Sequence, residues 1–154
     1  MDAAFLQQAI DQAVENVRRG GGPFAALVVK DGAVIAAGSN RVTACNDPTA
    51  HAEIVAIREA CRALGRFQLT GCDVYCSCEP CPMCLGALFW ARPARIFFAA
   101  SAEDAAAAGF DDSFIYHQLS LPVAKRSIGM VRVANPSAQL PFAEWVGRPD
   151  KAQY

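Results

Sequence analysis

Two short motifs near the middle of this chain contain residue types that bind metal ions. The first is His-Ala-Glu, which ends at Glu53, and the second is Cys-Pro-Met-Cys, which ends at Cys84. One imidazole and two thiolates can hold a zinc ion tetrahedrally and leave the fourth position open for water or hydroxide. Glu53 stands beside these ligands, where a carboxylate can carry protons between that water and a substrate. The motifs therefore predict a catalytic zinc site with His51, Cys81 and Cys84 as ligands.

Each motif taken alone fits more than one kind of site. A Cys-x-x-Cys pair also occurs in redox centres and structural metal sites, and a lone His-x-Glu carries little information. A closed site of four cysteines would have to include Cys76 and Cys78, whose alternation in a strand places them on one sheet face. We interpret those two thiols as small core side chains or as neighbours of the site. The two motifs together, in this order, favour the catalytic site.

The apolar periodicity of the chain alternates between helical and strand patterns. The predicted helices cover 2–19, 50–64, 82–92, 101–109 and 113–119, and the predicted strands cover 24–30, 34–37, 74–78, 95–100 and 130–134. The dipeptide Asp31-Gly32 predicts a tight hairpin turn between the first two strands. The alternation predicts a single α/β domain over residues 1–154, a three-layer α/β/α arrangement around a mixed sheet of about five strands.

The helix starts must position the metal ligands. Pro82 suits the first turn of a helix, so both cysteines of the second motif share that turn and its face. Free N–H groups and the positive end of the helix dipole lower a thiol pKa and favour the thiolate that zinc needs. Thr49 is the predicted N-cap of the helix that carries His51. His51 and Glu53 would point to different faces inside a helix, so we expect the start of that helix to meet the metal.

Charge and cysteine content narrow the cellular setting and the partners. The 154 residues carry a net charge of −1, and the pI is about 6.1, which gives no electrostatic footprint for nucleic acid. Seven cysteines, an odd number, and an N-terminus without the features of a secretory signal favour reduced thiols in the cytoplasm. No apolar run reaches the ~18 residues of a membrane span. We therefore expect a cytoplasmic protein with neither a membrane nor a nucleic-acid partner.

Nearly the whole chain resembles the cytidine deaminase superfamily and, more narrowly, the bacterial guanine deaminases. The metal motifs are shared across that superfamily, whereas the stretch Gly-Phe-Asp-Asp-Ser that ends at Ser113 and the C-terminal tyrosine are much narrower features. The segments that carry the resemblance are 21–24, 46–53, 77–87, 90–93 and 108–116, together with Tyr154. The resemblance implies a cytidine-deaminase-like fold with one zinc ion in each subunit.

The same resemblance implies roles for further residues. Asn40 would hydrogen-bond the base, and Phe24 would pack on the purine ring. Asp112 would face the amino group or a ring N–H and assist proton transfer, while Glu53 would shuttle protons. Tyr154 would close the pocket. The implied reaction converts guanine and water into xanthine and ammonia.

The resemblance also implies an oligomer. In bacterial guanine deaminases the C-terminal segment is exchanged between the two subunits of a dimer. A homodimer of this chain would then exchange residues from about 135 to 154, and Tyr154 would complete the site of the neighbouring subunit.

The residues outside the metal motifs also fit plain structural roles. Asn40 fits a turn, and either Asp111 or Asp112 fits the N-cap of the helix that follows. Phe24 fits a core position at the start of a strand. Tyr154 fits a frayed chain end.

Other functions compete with guanine deamination. The tRNA adenosine deaminases share both metal motifs but usually carry basic residues near the C-terminus. The charged side chains between residues 130 and 154 are nearly balanced: Arg132, Arg148 and Lys151 against Glu144 and Asp150. Guanosine, cytosine and aminotriazines such as ammeline are alternative small substrates. A zinc-stabilised binding module would need only the metal ligands, so the presence of Glu53 argues against it.

Overall fold

The computed structural model of the chain describes residues 3–154. Its contacts divide the chain into two compact units, the first ending at Ser113 and the second running from Phe114 to Tyr154. The predicted α/β fold class is confirmed by the mixed sheet and its helices in the first unit. The predicted single domain with an exchanged C-terminal segment stays a prediction.

Four strands form the sheet of the first unit: β1 (Ala25–Lys30), β2 (Ala33–Ser39), β3 (Asp73–Cys78) and β4 (Arg95–Ala100). Their order is β2-β1-β3-β4, in which β1 is antiparallel to both of its neighbours and β3 is parallel to β4. The hairpin between β1 and β2 turns at Asp31 and Gly32, whose φ angles are 51° and 77°. A type I′ hairpin requires positive φ at both turn residues, so the Asp-Gly prediction is confirmed.

Helices precede, connect and follow these strands. Those of the first unit are α1 (Ala3–Arg18), α2 (Val42–Cys45), α3 (Ala52–Leu64), α4 (Pro82–Ala91) and α5 (Ala102–Ala107). Three further elements follow in chain order: α6 (Ser113–Ser120), a 3-10 turn (Val123–Lys125) and α7 (Leu140–Gly147). The first residue of the helix predicted over 2–19 lies outside the described residues. None of the described helices combines the length and apolar character that crossing a bilayer requires.

The two faces of the sheet bury different helices. Ala26 and Val28 of β1 belong to the core that contains the small side chains of α3. Leu27 and Val29 alternate to the opposite face and share a second core with Ala9 of α1. Because successive strand residues point to opposite faces, one continuous apolar strand supplies both cores. The predicted α/β/α layering follows from this alternation.

The closest approach between α3 and the sheet occurs at Gly38 of β2. A Cβ atom at this position would lie 2.5 Å from the Ala56 nitrogen and still closer to the Ala52 carbonyl oxygen. Neither backbone atom can move without moving the helix. Ala52 and Ala56 are fully buried, so small residues on both elements permit the contact. Gly38 therefore sets how closely the first turn of α3 lies against the sheet.

Two local predictions are wrong. The predicted strand at 130–134 does not form, and the sheet has four strands within the described residues. An alternating apolar sequence gives only a tendency, because a strand also needs a partner edge. Thr49 does not cap α3: its N–H and hydroxyl donate to Asp47 Oδ1 at 2.8 and 2.7 Å. His51 occupies the N-cap position instead.

Candidate active site

His51, Cys81 and Cys84 converge at the starts of two helices. His51 is the N-cap residue of α3 and Cys81 is the N-cap residue of α4, and both have an extended backbone. Cys84 lies in the first turn of α4, which begins at Pro82. The ligating atoms of the three side chains lie within 4.8 Å of one another. The two helix starts therefore meet, as the motif spacing predicts.

The distances within this cluster fit a tetrahedral zinc ion. The His51 Nδ1 atom lies 3.5 Å from the Cys81 Sγ atom. Zinc bonds of about 2.1 Å to nitrogen and about 2.3 Å to sulfur, at tetrahedral angles, would separate these two ligand atoms by about 3.6 Å. One imidazole with two thiolates is also a donor set that prefers zinc to magnesium or calcium. The imidazole and the first thiolate are thus already at the separation that zinc ligands require.

Hydrogen bonds within the cluster set its protonation. The Cys84 thiol donates to the Cys81 sulfur, and this bond, assisted by the His51 imidazole and the Cys84 backbone N–H, lowers the pKa of Cys81 to about 4. The same bond, together with burial, raises the pKa of Cys84 far above its ordinary value. The pKa of His51 is raised, mainly because its ring donates to the Cys81 sulfur. The cluster presents one thiolate, beside two groups that must release protons to bind a cation.

Glu53 is a buried carboxyl group in the first turn of α3. Burial raises its pKa, against the opposing effects of hydrogen bonds from its own backbone N–H and from the Cys84 thiol. His51 has the extended conformation of a cap residue, so helical spacing does not separate it from Glu53. A carboxyl group with a raised pKa beside a metal site is suited to accept and return protons near neutral pH.

Cys76 and Cys78 of β3 are buried neighbours of this carboxyl group. Burial first and the charge of Glu53 second raise the pKa of Cys76 well above its ordinary value and that of Cys78 to about 11. Both side chains are therefore neutral thiols at physiological pH. The ligand cluster found among the described residues does not include them, which supports their interpretation as neighbours of the site.

Asn40 and Phe24 lie side by side at one end of the β1–β2 hairpin. The Asn40 N–H donates to the Phe24 carbonyl oxygen at 3.0 Å. The Val42 N–H donates to Asn40 Oδ1 at 3.3 Å, which is a turn contact. The Phe24 ring meets Phe110 edge to face, with 5.0 Å between the ring centroids. Both side chains are half-buried, so each retains surface that a ligand can contact.

The adjacent aspartates near the start of α6 have different surroundings. Asp111 Oδ1 accepts a hydrogen bond from the Ser113 N–H at 2.9 Å, and the contacts with Ser113 lower the pKa of Asp111. The pKa of Asp112 is raised by burial and by the nearby negative charge of Cys81. Asp111 therefore makes the turn into α6, whereas Asp112 is the carboxyl group under the electrostatic influence of the metal cluster.

Tyr154 belongs to the second unit, where its ring packs edge to face near Trp145 with 6.2 Å between the centroids. Its side chain is 68% exposed. The predicted role of Tyr154 in closing a pocket stays a prediction.

Two residues that shape the site were not identified from the sequence. Gly38 controls the approach of the turn that carries Glu53, and the available signal was a glycine late in a strand that a helix with small residues could approach. Asn16 of α1 donates to the Asn40 carbonyl oxygen at 3.0 Å. No periodicity marks such an asparagine, because its partner is distant in the sequence.

The sheet, the paired helix starts and the metal cluster together define a zinc deaminase. Residues 1–100 match the family profile of the cytidine and deoxycytidylate deaminase zinc-binding region, and the chain belongs to this family.

Similarity to particular proteins narrows this class. The chain is 54% identical to the guanine deaminase of Bacillus subtilis over 151 residues, which cover 97% of each chain. The X-ray structure of guanine deaminase from that organism has a TM-score of 0.97 and 52% identity, and the alignment covers 100% of this chain and 99% of the other. The predicted resemblance to the bacterial guanine deaminases is confirmed.

Other relatives match part of the chain. The tRNA-specific adenosine deaminase of Aquifex aeolicus is 43% identical over 96 residues, which cover 62% of this chain and 64% of that protein. The structure of a guanine deaminase from Nitrosomonas europaea has a TM-score of 0.70 and 35% identity, and the alignment covers 73% of this chain and 65% of that chain. The similarity to the Bacillus subtilis protein thus extends through the second unit, whereas the similarity to the tRNA deaminase spans about two thirds of the chain.

Proposed function

We propose that this protein is a zinc-dependent hydrolase that converts guanine and water into xanthine and ammonia. The observation that carries the proposal is the His-Cys-Cys cluster beside a buried carboxyl group, in a chain similar along nearly its whole length to a guanine deaminase. The reaction consumes one water and releases one ammonia, so it needs no redox partner.

His51, Cys81 and Cys84 would hold one zinc ion in each chain, with access for a water molecule. This assignment is supported by the ligand-atom separations and by the lowered pKa of Cys81. When bound, zinc acts as a Lewis acid that activates water for attack on C2 of guanine, the carbon that carries the amino group.

Glu53 moves the protons of the reaction. It accepts one proton from the attacking water and passes it to a ring nitrogen. It then accepts the second proton from the hydroxyl group added at C2 and delivers it to the amino group, which leaves as ammonia while the C2 carbonyl of xanthine forms. The raised pKa of Glu53 supports this role, because a carboxyl group that both accepts and returns a proton needs a pKa nearer to neutral pH than usual. The buried position of Glu53 also keeps its proton from exchanging with bulk water during the transfer to the base.

The remaining site residues recognise the purine. Asn40 donates from Nδ2 to a carbonyl oxygen of the base, since its Oδ1 already accepts from Val42. Phe24 packs on the ring, and Asp112 accepts from the amino group or a ring N–H and assists proton transfer. A pocket with such groups rejects bases that leave them unpaired. Tyr154 covers the bound base.

The active form is a homodimer that exchanges residues from about 135 to 154, so that the partner subunit's Tyr154 completes each site. Support comes from large apolar side chains that the second unit exposes: Ile128, Val131, Val133, Leu140, Phe142 and Val146. Large apolar side chains exposed in such number within one short stretch of chain are typical of a surface that binds another protein. In the exchanged dimer, the second copy of the chain would cover these side chains.

The protein acts in the cytoplasm. All seven cysteines are free thiols, and ligand thiolates such as Cys81 persist in a reducing compartment. The near-balanced charge of the chain supports a small base, and not a nucleic acid, as the partner.

The decisive test is ammonia release from guanine, guanosine, adenine, cytosine and ammeline by zinc-loaded protein, compared by kcat/KM. Guanine should exceed every other base. Faster turnover of another base would replace the substrate assignment. If the protein turned over none of these bases but bound and deaminated a tRNA anticodon stem-loop in a salt-sensitive manner, the result would favour assignment as a tRNA adenosine deaminase. No turnover of either class would favour a zinc-stabilised binding module.

A further inference from the structure

One asparagine of α1 connects that helix to the loop and strand end beside the proposed base-binding residues. Asn16 is half-buried, and its Nδ2 donates to two carbonyl oxygens, that of Gly22 at 2.8 Å and that of Asn40 at 3.0 Å. Both hydrogens of one side-chain amide are thereby used on main-chain acceptors. A single residue ties together segments that are separate in the sequence.

The glycines of the intervening loop make room for this amide. A Cβ atom on Gly21 would lie 2.7 Å from Asn16 Cγ, and the Gly21 N–H donates to the Asn16 carbonyl oxygen at 2.8 Å. A Cβ atom on Gly22 would lie 3.0 Å from Asn40 Cγ. Side chains at these positions would displace one asparagine or the other. The Gly-Gly-Pro-Phe segment is thus folded closely around two asparagine side chains.

These contacts hold every main-chain group of Asn40. Its N–H donates to Phe24, its carbonyl oxygen accepts from Asn16, and its side-chain Oδ1 accepts from Val42. The opposite end of its amide, Nδ2, donates to none of the described residues. The orientation of that donor therefore depends on a main chain that Asn16 fixes.

We infer that Asn16 is a positioning residue for substrate binding, which fixes the Asn40 amide donor for a carbonyl oxygen of the purine. The inference rests on the proposed function, because it acts through the base-binding role of Asn40. None of the described hydrogen bonds of Asn16 goes to a proposed metal ligand or to Glu53, so its loss should raise KM more than it lowers kcat. An amide donor held in place also favours an oxopurine over a base with an amino group at the same position.

Gln12 provides a matched control on the same helix. It lies one turn before Asn16, and its Nε2 donates to Ser39 Oγ at 2.9 Å. This bond also joins α1 to the end of β2, and it involves the residue directly before Asn40. Gln12→Ala therefore removes a helix-to-strand hydrogen bond of the same kind without touching the Asn40 main chain.

The test compares Asn16→Ala with Gln12→Ala in zinc-loaded protein, measuring KM and kcat for guanine, Tm and zinc content. Asn16→Ala should raise KM about tenfold and change kcat by less than about threefold, since misplacement of a binding group by a fraction of an ångström has effects of this order. Gln12→Ala should leave KM unchanged, even if it lowers Tm as much as Asn16→Ala does. If Asn16→Ala does not fold, Asn16→Ser replaces it in the test. Serine keeps a single hydroxyl donor in place of the two amide hydrogens, so the KM of this variant should also rise.

A double variant separates positioning from general stability. In the Asn40→Ala background, Asn16→Ala should raise KM no further, because the residue through which it acts is gone. A further rise equal to that in the wild type, or an equal KM change in Gln12→Ala, would overturn the inference while wild-type turnover of guanine stood. A wild-type protein that releases no ammonia from guanine would refute the proposed function itself and the inference with it.

Discussion

The two units of this chain differ in where their apolar side chains lie. In the first unit, two clusters of buried apolar side chains lie on the opposite faces of β1 and β3. In the second unit no residue from 114 to 154 is buried, and large apolar side chains such as Ile128 and Val133 are about 80% exposed. Apolar burial is the main favourable contribution to folding, so the two cores stabilise the first unit, whereas the second unit has no buried side chains to contribute in this way.

The boundary between the two units also separates the part of the chain that matches the whole deaminase family from the part that matches fewer relatives. The family profile ends at residue 100, and the His-Cys-Cys cluster and Glu53 lie within it. The similarity to the Bacillus subtilis guanine deaminase continues through the second unit. The zinc-binding family profile is thus confined to the first unit, whereas the similarity to a guanine deaminase includes the second.

The largest expected effect lies in the first unit, in the carboxyl group beside the metal cluster. Glu53→Gln should lower kcat for guanine about a thousandfold, because the amide cannot accept the proton of the attacking water. Zinc content and Tm should stay near those of the wild type. Glu59→Gln, on an exposed position of the same helix, is the control. Full activity of Glu53→Gln would show that another group carries the proton.

The next effect concerns metal binding and pH. The pKa of Cys81 is lowered to about 4, so between about pH 5 and pH 6 this residue is already a thiolate. The raised pKa values of His51 and Cys84 keep both protonated in that range, and zinc must displace both protons. Zinc affinity should therefore rise about a hundredfold per pH unit there, measured by competition with a chelator. A tenfold rise would mean that only one proton is displaced and would contradict this protonation pattern.

A smaller effect tests whether the close packing of α3 against β2 in the first unit positions Glu53. Gly38→Ala should destabilise the protein by about 1–3 kcal/mol, because its Cβ would overlap the backbone of α3. Since the same turn carries Glu53, kcat should fall as well. Gly86→Ala is the matched control, because a Cβ there meets nothing within 4 Å. That variant should be neutral or stabilised by about 0.5–1 kcal/mol in urea denaturation, as expected for alanine in a helix. Equal stability of the two variants would disprove the close contact.

The smallest effect concerns the second unit. Phe142→Asp places a charge on an exposed apolar position of α7 and should weaken the homodimer about tenfold, measured by analytical ultracentrifugation. Phe67→Asp makes the same change at an exposed position of the first unit and should leave the dimer unchanged. A monomeric wild type, or equal effects of both substitutions, would remove the contrast between the units.

The sequence pattern predicted those features of the structure that depend mainly on residues close together in the chain. The Asp-Gly turn agrees with the structure because the two turn residues themselves adopt the positive φ angles that it requires. The predicted strand at 95–100 also forms, and β3 is its partner edge. The convergence of His51 with the two cysteines was predictable because helix starts are marked by proline and by the ligand spacing itself. The metal cluster is therefore the part of the site that a single sequence defines best.

Long-range contacts account for what was not predicted. The segment 130–134 has the composition of a strand but finds no partner edge among the described residues. The helix α7 contains Pro141 and follows a segment without clear periodicity, so no pattern indicated it. The contact at Gly38 and the bond from Asn16 to Asn40 join residues far apart in sequence, which periodicity does not detect.

The contact between Gly38 and α3 also limits how this protein can diverge. Ala52, whose carbonyl oxygen lies against Gly38, stands between His51 and Glu53, the proposed metal ligand and the proposed proton carrier. A larger residue in the strand would have to be matched by a change in the helix, and the helix cannot shift without disturbing its neighbours on either side. Among related sequences, the glycine should therefore be inherited together with the small residues of the helix, although it takes no part in the reaction.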